Sequence, residues 1–122
     1  VVKSIVCTLV NAFESYWQVL TVLLAGLIAV LSLWPLYSLP SMPGTDKTHH
    51  LIAYACLTLP VSIGRPRHWL KIVALIILFG GVIELLQPYV NRYGEWLDLL
   101  ANITGVLIGL VLSTLIRNVT AK

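Results

Sequence analysis

The residues most able to do chemistry in this 122-residue chain fall into three short clusters. Asp46, Lys47, His50 and Tyr54 form the first. Glu84 and Gln87, followed by Arg92, form the second, and Asp98 and Asn102 form the third. An α-helix turns about 100° per residue, so Lys47, His50 and Tyr54 share one helix face. Glu84 and Gln87 share another, and Asp98 and Asn102 a third. A histidine beside carboxylates can exchange protons or gate an ion, while Lys47 and Arg92 suit contacts to an anion. The same residues have plainer uses. Asp46 and Asp98 fit the first turn of a helix, where a carboxylate meets unpaired N–H groups. Glu84 paired with Lys47, His50 or Arg92 would fasten helices together, and Asn102 would make an interhelical hydrogen bond. Gly105 and Gly109 continue the stripe of Asp98 and Asn102. Their G-x-x-x-G spacing lets another helix backbone approach, so that stripe is expected to face inward.

These polar residues lie in unusually apolar surroundings. The chain is 58% hydrophobic and 11% charged, against about 25% charged for a soluble domain. So few charges leave a soluble surface uncovered, and part of the solvent must be lipid. Apolar runs at about 17–36, 49–63, 69–87 and 97–116 predict four transmembrane helices in a compact all-α bundle. The first run is expected to be a retained span. Pro60 is expected to kink or end the second, and residues 1–16 either extend the first helix or lie on the membrane surface. The runs do not alternate with period two, which excludes a β-barrel, and they lack the polar stripes of a soluble bundle. The length allows one domain, residues 1–122. Glu84 stands about one turn inside its run. A carboxylate at mid-span costs about 2.5–3.5 kcal/mol, so it will seek a cation, a proton or a donor.

The basic residues set a topology. In a four-span arrangement Lys3, Arg65, Arg67, Lys71, Arg117 and Lys122 fall on one side, and Lys47 and Arg92 on the other. Six against two predicts cytoplasmic termini and an external polar cluster. Trp17, Trp34, Trp69 and Trp96 lie near run ends, as an interfacial aromatic belt requires. The net charge of +3 is spread between apolar runs and does not point to nucleic acid. Cys7 and Cys56 do not make a disulfide framework.

Charge also narrows the ligands. The outer cluster has four acids, Asp46, Glu84, Glu95 and Asp98, against Lys47 and Arg92. A dedicated phosphate pocket would have an excess of cations. No metal is expected, because His50, Glu84 and Asp98 lack the motif spacing of a ligand set. No nucleophile motif and no glycine-rich phosphate loop is present, so neither a reaction nor a cofactor is assigned. The inner half of the spans reads as lacking polar residues, which argues against a transport path.

In order, these positions read D-K-x-x-H-x-x-x-Y from Asp46 to Tyr54, then E-x-x-Q from Glu84, then Arg92. D-x-x-x-N-x-x-G-x-x-x-G from Asp98 to Gly109 completes the pattern. The pattern over 46–109 resembles the VanZ-like family, whose name comes from glycopeptide (teicoplanin) resistance. The resemblance implies a multi-pass protein of a bacterial cytoplasmic membrane. Two roles follow as expectations. In one, the outer cluster binds a polar lipid, a cell-wall precursor or an ion. In the other, the chain is a non-catalytic accessory subunit, and the cluster is internal glue between helices. Membrane lipids are the expected partners in both, with other membrane subunits or further copies of the chain in the second.

Overall fold

The computed structural model describes residues 1–34, 46–90 and 96–121. They form four α-helices and one short 3-10 turn, with no strand among the described residues. Helix α1 is Val2–Leu33, α2 is Asp46–Gly64, α3 is Trp69–Leu86 and α4 is Trp96–Ala121; the 3-10 turn Gln87–Val90 follows α3. Residues 2–16 extend the first helix, so α1 is one continuous rod of 32 residues. Pro60 does not end α2, which runs on to Gly64.

Contacts at the two ends give the direction of each helix. The Gln87 side-chain amide donates to the Ser32 carbonyl at 3.1 Å, placing the C-terminal ends of α1 and α3 at one level. At the other end Arg117 of α4 donates to the Ile63 carbonyl of α2 and lies 3.8 Å from Glu14 of α1. Helices α1 and α3 therefore run one way, and α2 and α4 the other. From Glu14 to Leu33 the rise is about 30 Å at 1.5 Å per residue, which matches a bilayer core.

Three helices are long and apolar enough to cross a membrane: Val2–Leu33, Trp69–Tyr89 and Leu97–Thr120. Helix α2 does not meet that description, and its position explains why. It carries much of the core: Tyr54, Leu57, Val61 and Ile63 are almost fully buried. A helix covered on most sides, with Thr48, Ile52 and Cys56 as its exposed stripe, can carry polar residues on its covered faces. Thr58 and Ser62 on α2 and Ser113 on α4 are buried there, in the half of the bundle away from the cluster. That corrects the expectation of a wholly apolar inner half. Their hydroxyls are mostly handled locally. Thr58 donates to the Tyr54 carbonyl at 2.7 Å and Ser113 to the Leu110 carbonyl at 2.8 Å. Outside this core the surface is apolar, with Val19, Val22, Leu23, Leu27 and Val30 of α1 exposed.

The glycines set how closely the helices approach. A Cβ on Gly105 would collide with the Leu51 carbonyl of α2, and one on Gly109 would stand 2.9 Å from the Ala55 carbonyl oxygen. The G-x-x-x-G stripe thus faces α2. Gly64 makes the corresponding contact with α1, where a Cβ would lie 2.8 Å from the Phe13 carbonyl oxygen. Backbone atoms cannot move aside as a side-chain tip can, so Gly105→Ala should cost about 3 kcal/mol. Gly26→Ala meets nothing within 4 Å and should be neutral or slightly stabilising, by up to about 1 kcal/mol. Unfolding of both variants in mixed detergent–lipid micelles checks that contrast.

Candidate functional site

The site starts from the pairing of α2 and α4. Because the two run parallel with their backbones close, residues on facing turns meet in sequence order. Lys47 Nζ lies 3.4 Å from Asp98 Oδ1. One turn deeper, His50 Nδ1 donates to Asn102 Oδ1 at 2.9 Å. Leu51 and Ala55 then meet Gly105, and Ala55 and Thr58 meet Gly109. Helix α3 closes the third side, with Glu84 Oε1 at 3.8 Å from His50 Nδ1. Gly80 of α3 makes room beside it. A Cβ there would stand 3.1 Å from Asn102 Nδ2 and 3.2 Å from Tyr54 Cε1.

The resulting cluster is enclosed. His50, Tyr54, Glu84, Gln87, Asp98 and Asn102 are all at most 9% exposed, and only Lys47 reaches outward. Hydrogen-bonding capacity is left over inside it. Tyr54 Oη, Gln87 Oε1 and Asn102 Nδ2 are buried with no hydrogen-bond partner among the described residues.

Lys47, His50, Tyr54, Glu84, Asp98 and Asn102 come together. Gln87 sits at the same end and reaches α1. Of the partners expected for Glu84, His50 is adjacent at 3.8 Å, and Lys47 also reaches Asp98. Arg92 and Glu95 lie outside the described residues, as does the side chain of Asp46. Cys7 and Cys56 are free thiols.

Sequence reading treated Arg65 and Arg117 only as topology markers. Both in fact finish α2. Arg65 Nε donates to the Ser62 carbonyl at 3.1 Å, and its Nη2 to Thr114 Oγ1 at 3.3 Å. The same guanidinium stacks 4.6 Å above the Trp69 ring. Burial, and then the nearby Arg117, hold Arg65 below the usual guanidinium range, though it stays charged at physiological pH. Cations just beyond a helix C-terminus satisfy its unpaired carbonyls. That rule, applied to Gly64-Arg65, was the available signal.

The family model described as VanZ/LLP1 matches residues 4–117. The chain belongs to the VanZ/LLP1 family. No curated protein and no solved structure matches it. The VanZ/LLP1 match reaches well beyond the polar motif over 46–109, taking in most of α1 and the Arg117 end of α4.

The His50–Asn102 link is a buried interhelical hydrogen bond. Asn102→Ala should lower stability by about 1 kcal/mol, the usual scale for such bonds in membranes. Denaturant titration in bicelles measures it, with Thr104→Ala on the exposed side of the same helix as the reference.

Proposed function

We propose that this VanZ/LLP1-family membrane protein binds a polar ligand at the cluster end of its bundle. The ligand class is the headgroup of a polar lipid or of a membrane-anchored cell-wall precursor. One observation carries the reading: the unfilled hydrogen-bonding capacity of Tyr54, Gln87 and Asn102. A buried polar group without a partner costs about 1–3 kcal/mol. A cluster serving only to fasten helices would pair these groups with each other, whereas a binding site keeps donors and acceptors for its ligand. By the balance of basic residues, this end faces the outside of a bacterial cytoplasmic membrane, where such headgroups are exposed. Lys47 stands at the rim as the anion contact, and His50 with Glu84 lies beneath it as the acid–base or gating pair.

The test is glycopeptide susceptibility in a bacterial host expressing the wild-type chain, Glu84→Gln or His50→Ala at matched membrane levels. Both variants should lose the wild-type effect. An unchanged effect in both would remove the proposal.

A second reading has its own support. The Lys47–Asp98 and His50–Asn102 contacts join α2 to α4, as internal glue in an accessory subunit would. Native mass measurement after mild detergent extraction separates the two. The accessory role requires a co-purifying membrane partner, and a lone chain at full activity speaks against it.

A further inference from the structure

His50, Glu84 and Asp98 each offer one donor atom, and the three donors lie within 4.8 Å of one another. We propose that these residues hold a single divalent transition-metal ion, of the zinc or manganese class. This rests on the reading of the cluster as a ligand site and names what that site takes first.

The donor chemistry fits. One imidazole nitrogen and two carboxylate oxygens arrive from three different helices, so no linear motif announces them. Donors around an ion at 2.0–2.2 Å stand about 3–3.5 Å apart. The three donors already lie within 4.8 Å of one another, so even the widest gap closes with about 1 Å of side-chain movement. Two buried carboxylates beside one lysine form a nearly dry, oxygen-rich centre, and a dication between them is attracted by both. The imidazole donor favours zinc, manganese or iron over magnesium and calcium, which prefer oxygen alone.

The surroundings supply a second, independent line. The imidazole already donates from Nδ1 to Asn102 Oδ1. A hydrogen bond on one ring nitrogen is how proteins ordinarily orient a histidine whose other nitrogen ligates. The Tyr54 ring packs with Asn102 around Gly80, and its Oη is buried without a hydrogen-bond partner among the described residues. It is a donor for water or an anion on the metal. Three protein ligands leave coordination positions open.

The metal also answers the charge problem. Among the described residues, a cluster that sets Glu84 and Asp98 against the single fixed cation Lys47 is a poor site for an anionic headgroup. A bound dication reverses the local sign at the centre, and an anionic oxygen then has both the metal and Lys47 to meet.

The experiment uses the full chain in detergent micelles, stripped with chelator and titrated with Co²⁺ as an optical probe and with Zn²⁺ by calorimetry. One equivalent per chain is expected, with a Co²⁺ visible spectrum and a rise in the thermal midpoint. Glu84→Gln and Asp98→Asn should each weaken binding about tenfold or more. His68→Ala, at the opposite end of the bundle, should not. Gel filtration and circular dichroism confirm that each variant is folded. If either carboxylate variant fails to fold, the wild-type stoichiometry and the His68→Ala comparison decide. Binding that is absent, substoichiometric, unaffected by both carboxylate variants or lost in His68→Ala overturns the proposal. Metal binding without any effect of Glu84→Gln or His50→Ala on susceptibility keeps the metal and removes the polar-ligand function. A susceptibility change with no metal binding does the reverse.

Discussion

The close approach of the α2 and α4 backbones at Gly105 is the constraint on which the rest of the bundle depends. It allows no side chain between the helices at that turn, so it fixes their separation and their register together. With the register fixed, every facing turn is assigned: Lys47 to Asp98, His50 to Asn102, and Ala55 and Thr58 to Gly109. The same register carries on to the far end, where Arg65 meets Thr114 and Arg117 meets the Ile63 carbonyl. Without a hydrophobic force between helices in lipid, such close packing and a few hydrogen bonds supply the association energy. The polar cluster is thus a product of the glycines as much as of its own residues.

That pairing also explains the unusual character of α2. A span facing lipid has to be apolar all round. A span covered by three neighbours can carry histidine, tyrosine, threonine and serine, and can run through Pro60, because protein receives each group. The price is dependence: α2 is the least self-sufficient of the four helices, and it holds the largest share of the site.

Much of this was legible in the sequence. Charge scarcity and run length give the membrane helices, and the stripe from Asp98 to Gly109 gives the face of α4 that turns inward. The helical spacing of Lys47, His50 and Tyr54 gives the matching face of α2. What sequence could not give is the pairing between elements. Periodicity says which residues share a face, but not which of Lys47, His50 and Arg92 meets Glu84. Nor does it reveal that His50, Glu84 and Asp98 converge, since their spacing along the chain is set by loops rather than by helix geometry. The course of α1 through residues 2–16 and of α2 through Pro60 stays between two alternatives in the sequence for a related reason. Local propensity leaves both open, and tertiary packing decides them.

The parallel pairing has a consequence for biosynthesis. Helix α4 follows α2 by about fifty residues, and chains grow at about 5–20 residues per second. For several seconds α2 is made but its closest partner is not. During that interval α1, seated against Gly64 through Phe13, is the neighbour already available, and the face bearing His50 and Tyr54 has no Asn102 to meet. The nascent chain must therefore keep this face near water, the translocon or the interface until α4 emerges. Helix α4, the later of the two, is the one that commits α2 to the membrane.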